Sequence, residues 1–181
     1  MPESPKVILY IASSLDGFIA TLDGGLGWLT SYDGESERQS FDNLIQGTGA
    51  LVMGSATYEF HDPSEPWPFS NMPTWVFTRR ELEVFEGEDI RLVDDSPEAV
   101  INEIAESADG KAVWLVGGGD LIAQFLKADL IDEVIHFLVP KVLGEGVPLY
   151  PKAVPDPFAV ESVQIGDSGL VELRYRPAAR A

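Results

Sequence analysis

The sequence predicts an α/β fold organised around a mixed, mostly parallel sheet. Three observations carry that expectation. Apolar strand-like segments recur along the whole length and are separated by stretches of helical periodicity, the pattern of strands joined by crossover helices. Most of these segments are apolar at nearly every position, as strands covered on both faces are. The last two segments instead flank Gly166-Asp-Ser-Gly169, a turn that reads as the tip of an antiparallel hairpin.

The elements can be justified in chain order. Lys6–Ala12 is a continuous apolar run and takes a central place in the sheet. A helix follows over Glu37–Gln46, where Phe41, Leu44 and Ile45 share one face and Gly47 can end it. Ala50–Gly54 and Thr74–Thr78 read as the next buried strands. A second helix opens at Ser96-Pro97-Glu98, which offers a capping serine, a proline suited to the first helical position and a carboxylate for the positive end of the dipole. It runs to about Ala108, before Gly110. The strand Ala112–Val116 then turns through Gly117, Gly118 and Gly119 into a third helix, with Leu121, Ile122, Phe125 and Leu126 at helical spacing. Glu133–Val139 is another internal strand, and Phe158–Gln164 with Leu170–Arg176 form the hairpin. Proline-rich stretches at Asp62–Pro68 and Pro148–Pro157 read as surface loops, so residues 1–181 read as one domain with a core over about 6–176.

Composition narrows the function classes. The 181 residues are 45% hydrophobic and 23% charged, which excludes a disordered or fibrous chain. Thirty acidic residues against twelve basic ones give a formal charge of -18, so neither nucleic acid nor an anionic membrane is an expected partner. Without cysteine, disulfides, thiolate metal sites and a cysteine nucleophile are excluded, and two histidines, His61 and His136, do not suggest a metal centre. The longest apolar runs are too short to span a bilayer, and the opening Met-Pro-Glu-Ser-Pro-Lys lacks the features of a secretory signal. A cytoplasmic location is expected.

Four segments have the chemistry of a ligand site. In Trp114–Ala123 a strand enters a helix through three glycines; glycine admits close backbone approach, and a helix start presents unpaired N–H groups suited to phosphate. The spacing matches neither the Gly-x-Gly-x-x-Gly nor the P-loop pattern. Val52–Glu59 also leaves a strand at a glycine, with Ser55 and Thr57 able to donate to phosphate or simply to cap a helix. Val76–Arg80 ends in the only adjacent basic pair, a phosphate clamp or a solvated strand end. Ser13–Ala20, followed by Gly24–Trp28, breaks a strand into a glycine-rich loop that could act as a flap over a flat ligand, or Trp28 could plug the core edge. Asp16 reads as the anchor of an Asp-Gly turn. Asp33, Glu35, Glu37 and Asp42 crowd the start of the first helix, where one carboxylate facing a cleft could move a proton.

The order of these motifs resembles the dihydrofolate reductase superfamily, and more closely the reductase domain of the bifunctional riboflavin-biosynthesis deaminase-reductase. The resemblance covers roughly residues 6–176. It rests on Ser14-Leu-Asp-Gly-Phe-Ile-Ala20, Gly27-Trp28, Val52-Met-Gly54 with Thr57-Tyr-Glu59, Thr78-Arg79, Val116-Gly-Gly-Gly119, Leu130-Ile-Asp-Glu-Val134 and Pro140-Lys-Val-Leu-Gly-Glu-Gly-Val-Pro-Leu-Tyr150. It implies a three-layer α/β/α fold with an eight-stranded sheet, NADPH as cofactor, a small-molecule substrate and a homodimer to which Val134–Val139, Val142 and Leu143 could contribute. Carried over by motif, Gly54, Ser55 and Thr57 would lie at the pyrophosphate, and Thr78 and Arg79 at the adenosine ribose and its 2′-phosphate. Gly117, Gly118, Gly119, Asp120 and Leu121 would form the second phosphate turn, and Ala12, Ile19 and Trp28 would border the nicotinamide. Asp33 stands five residues after Trp28, as the substrate-binding aspartate of dihydrofolate reductases does after its tryptophan; Asp33 or Glu35 is therefore the expected catalytic carboxylate. The sequence departs from the relatives at Ser55, where dihydrofolate reductases have arginine, and at Val116, where the riboflavin-pathway enzymes have glutamate. An NADPH-dependent reductase is the leading expectation, and a nucleotide-binding module without turnover is the alternative.

Overall fold

The computed structural model describes residues 5–152 and 158–178. Strand β1 (Val7–Ser14) lies inside an eight-stranded sheet because its apolar side chains can be covered on both faces. A short β2 (Phe18–Ala20) follows, then helix α1 (Glu35–Gly47), β3 (Thr48–Gly54), the single turn α2 (Ser55–Tyr58), β4 (Thr74–Phe77) and β5 (Ile90–Val93). Helix α3 (Pro97–Ser107), β6 (Ala112–Gly117), helix α4 (Gly119–Lys127), β7 (Glu133–Val139), β8 (Val147–Pro148), β9 (Phe158–Ile165) and β10 (Val171–Pro177) complete the order. The large sheet runs β5-β4-β3-β6-β1-β7-β10-β9, with only the β10 pairings antiparallel; β2 and β8 form a separate two-stranded ribbon. The expected mixed sheet and C-terminal hairpin are therefore present.

Helices cover both faces. Val100 and Ile104 of α3 and Leu121, Ile122, Phe125 and Leu126 of α4 pack with Val7, Leu9, Val52 and Leu115 on one side. Leu44 and Ile45 of α1 pack with Leu51, Met53, Trp114, Ile8 and Tyr10 on the other. The placement follows from right-handed crossovers that leave the centre in opposite directions, β1 to β3 one way and β6 to β7 the other. A reversal of this kind opens a crevice at the carboxyl ends of the strands.

Glu133–Val139 is the internal strand its apolar run suggested, paired on both sides between β1 and β10; Val142 is exposed beyond it. Two sequence expectations are corrected. The Asp62–Pro68 stretch is not wholly superficial: Trp67 is buried and packs against Tyr58, Phe69 and Phe85. Ser96 stands at the N-cap of α3 with Pro97 after it, but its side chain makes no capping hydrogen bond. The stretch from 148 to 157 lies outside the described residues from 153 on.

Candidate active site

The crevice begins where β1 and β6 part. They pair only from Val7 to Leu9 against Val113 to Leu115. Beyond that, β1 continues along β7 to Ser14, while β6 leans onto β3, reaching Met53 opposite Gly117 after a register shift. Ile11 and Ala12 are thus left facing the ends of β6 across a gap that no backbone ladder fills.

Glycines let the walls of this crevice meet. Gly117 adopts φ +124, a conformation that side-chain-bearing residues rarely take, and the Gly117–Gly118 peptide is cis. A side chain on Gly118 would stand 3.8 Å from Ile19 and 4.0 Å from the Thr57 hydroxyl. At Gly119 a methyl group would run into the Pro148 carbonyl oxygen and sit 3.1 Å from that of Leu149. The start of α4, with its unpaired N–H groups, is in this way pressed against the β8 segment.

A cavity of about 300 Å³ opens here, lined by Gly54, Ser55, Thr57, Gly118, Gly119, Asp120 and Leu121 together with Phe77, Gln124 and Pro148. A second, of about 330 Å³, is lined by Thr78, Arg79, Val93, Asp94, Asp95 and Ser96. Phe77 and Gln124 border both, so the two form one extended groove across the ends of β3, β4 and β6. Every phosphate-side residue named from sequence lies in or beside this groove. The pair Arg79 and Arg80 is split: Arg79 reaches Asp94 at 3.3 Å, while both terminal nitrogens of Arg80 bond the Glu59 carboxylate at 3.1 and 2.5 Å. The two guanidinium groups are thus held by different carboxylates. Lining residues that sequence reasoning missed include Phe77, Asp94, Asp95 and Gln124; the two aspartates directly follow β5, a strand the apolar pattern had not revealed because half of it is exposed.

The opposite, α1-facing side is built of side chains. Ala12 lies level with Phe137 on this face. Trp28 is 7% exposed and packs with Ile135, Phe137, Val139 and Leu170, its indole N–H without a hydrogen-bond partner. It is a plug in the core rather than part of a flap. The preceding turn is pinned by Asp16, which accepts hydrogen bonds from the Ser14 hydroxyl at 2.6 Å and from the N–H groups of Leu143 and Gly144; these bonds, the hydroxyl first, pull its pKa down to about 2.

The carboxylates at the start of α1 divide. Asp33 is exposed and paired with Arg38 at 3.0 Å, and Glu35 is exposed; neither lines a described cavity. Glu37 turns to the β9–β10 turn, where it accepts from Ser168 at 2.5 Å and Ser36 at 2.9 Å. Burial raises its pKa, but those hydroxyls outweigh it and hold the group below the usual range. Glu37 borders a cavity of about 380 Å³ with Ser40, Phe137, Gln164, Glu172 and Arg174. In its floor Arg174 bonds Glu172 at 2.6 Å and Glu133 at 3.1 Å, Lys6 also pairs with Glu133, and Ser40 donates to Glu172 at 3.0 Å. Tyr10 stands nearby with its phenol pushed up to about 12 by burial, a neutral hydrogen-bond donor.

Comparison with known proteins agrees with this fold. The profile of the RibD C-terminal domain family matches residues 5–167. The uncharacterized protein YwjB of Bacillus subtilis is 33% identical over 146 residues, covering 80% of this chain and 82% of that protein. The crystal structure of a protein from Shewanella sp. PV-4, provisionally assigned to riboflavin biosynthesis, superposes with a TM-score of 0.81 at 33% identity, over 95% of this chain and 98% of that one. Dihydrofolate reductase from Enterococcus faecalis, in complex with NADP(H) and RAB-propyl, shares the fold with a TM-score of 0.68 at 16% identity, over 97% of this chain and 98% of that one.

Proposed function

This chain belongs to the RibD C-terminal domain family, and from that premise we propose that it is an NADPH-dependent reductase of a small heteroaromatic or carbonyl substrate. The observation that carries the reading is the continuous groove from the start of α4 to the end of β5, an extended site of the shape a dinucleotide needs. The pyrophosphate would lie against Gly54, Ser55, Thr57 and the N–H groups of Gly119 and Asp120, where the dipole of α4 favours an anion. Thr78 and Arg79 would take the adenosine ribose and its 2′-phosphate. The nicotinamide would enter the gap beside Ala12, Ile19 and Gly117, and supply hydride from its ring carbon to a substrate held within about 3 to 3.5 Å. The proton that completes the reduction would come through water from Asp33 or Glu35, or from Glu37 after its hydroxyl partners shift.

A second reading, a nucleotide-binding module without turnover, is favoured by the carboxylates around the start of α1: Asp33 is tied to Arg38 and Glu37 to two serines, and the exposed Glu35 lines none of the described cavities. Titration of purified protein with NADPH separates the readings. Quenching of nucleotide fluorescence with a gain in thermal stability is expected, and so is loss of NADPH absorbance with a member of a pterin, pyrimidine or quinone panel. Binding without oxidation across the panel selects the second reading, and no binding overturns both.

A further inference from the structure

We propose that Asp94 is a built-in rival of the cofactor's 2′-phosphate and narrows the preference for NADPH over NADH. The inference rests on the reductase reading above, because it takes the adenosine end of the nucleotide to lie against the ends of β4 and β5.

The rival position follows from strand register. β4 and β5 are parallel with Phe77 level with Val93, and the Thr78 N–H donates to the Val93 carbonyl at 2.8 Å. The next residues of each strand, Thr78-Arg79 and Asp94-Asp95, therefore leave the sheet side by side. They cannot separate far, because Pro97 already begins α3. Arg79 bonds Asp94 at 3.3 Å, and both side chains are open to water, 90% and 69% exposed. An exposed pair of this kind is loosely held, so an incoming phosphate can take the guanidinium. The carboxylates remain, however, in the wall of the same cavity. Among the described residues lining the groove, Arg79 is one cation facing three carboxylates, Asp94, Asp95 and Asp120; Ser96 and Gln124 are neutral.

The two cofactors meet this wall differently. A ribose with free 2′- and 3′-hydroxyls donates hydrogen bonds to a carboxylate at a strand end. A 2′-phosphate gains Arg79 but must displace Asp94 and then stand beside it. Attraction and repulsion arise a few ångströms apart and largely offset, so the site gives NADPH only a small advantage.

Dissociation constants of NADPH, NADH, 2′,5′-ADP and 5′-ADP, measured by calorimetry at one ionic strength, test this. NADPH should bind less than about tenfold more tightly than NADH. Asp94→Asn should tighten NADPH and 2′,5′-ADP by roughly three- to tenfold and leave NADH and 5′-ADP within about twofold. Relative to Arg79→Ala alone, the gain in Arg79→Ala/Asp94→Asn should be smaller, because the repulsion is still relieved but no guanidinium is freed, and Asp95→Asn should shift affinities the same way as Asp94→Asn by less. A native preference of a hundredfold or more, or an Asp94→Asn protein that binds 2′,5′-ADP no better, overturns the proposal while leaving the reductase reading intact. Failure of all four nucleotides to bind overturns that reading, and the proposal with it.

Discussion

On the β5-β4-β3-β6 side of the sheet the groove is made largely by backbone: strands stop at Gly54 and Gly117, helices start, and the ligand-facing groups belong to short consecutive segments. On the β1-β7-β10-β9 side the polar chemistry is made by side chains that converge from distant points, such as Ser40 on Glu172, 132 positions away, and Arg174 on Glu133 and Glu172. The first half tolerates little change in backbone shape and is indifferent to many side chains. The second depends on complete sets of partners, because a carboxylate left alone in a buried network is costly.

The sharpest way to break the comparison is at Gly119. A β-carbon there meets the Pro148 carbonyl oxygen and stands 3.1 Å from the Leu149 oxygen and the Pro151 ring, and backbone cannot swing aside as a long side chain can. Gly119→Ala is expected to cost about 3 kcal/mol in urea unfolding and to abolish dinucleotide binding. Gly54→Ala is the contrast: the nearest atoms are 3.8 Å away and its φ is -83, so stability should change by no more than about 0.5 kcal/mol. Equal damage at both positions would mean that the groove is not held by the close approach of α4 to β8.

The same contrast explains what could be read before the structure was in view. The internal strands, the hairpin and the glycine turns that line the groove were legible because each depends on a local pattern: an apolar run, a glycine at a strand end, a hydrophobic face at helical spacing. The short strand β5 was not, since its Arg91 and Leu92 are exposed and give no continuous apolar signal. Nor was the fate of Arg80, which depends on where α2 delivers Glu59. The choice among Asp33, Glu35 and Glu37 turned on which way each points around the start of α1, and that is fixed by the partner each finds, Arg38 for Asp33 and the distant Ser168 for Glu37, rather than by spacing alone.

A smaller effect comes from the side-chain half. His136 bonds Ser13 at 2.7 Å, and burial pushes its pKa down to about 4. The unfolded chain therefore takes up a proton first as pH falls, near the ordinary histidine value of about 6.5. The stability this group contributes is present in full above about pH 6.5 and is lost progressively down to about 4, a change of about 3 kcal/mol. His61, lowered by burial as well, adds in the same direction. Urea midpoints at pH 7 and pH 4.5 should thus converge in His136→Gln relative to the native protein, with His61 supplying the residual slope. The contribution of Asp16, held at about 2, is lost only at lower pH. An unchanged difference between the two midpoints in the variant would show that His136 titrates normally in the folded chain.

The smallest expected change tests whether backbone rather than charge governs the groove. Arg80 and Arg79 are neighbours in sequence, yet Arg80 spends both terminal nitrogens on Glu59 outside the two cavities, while Arg79 lines the cavity at the ends of β4 and β5. Both pairs are exposed, so neither substitution by alanine should move the urea midpoint appreciably. Arg79→Ala should weaken NADPH by about fivefold more than NADH, whereas Arg80→Ala should leave both within about twofold. If Arg80→Ala weakened NADPH as much, the bound nucleotide would have to draw Arg80 away from Glu59 and rebuild the two-arginine clamp, and the groove would be shaped by mobile charge as much as by its glycine turns.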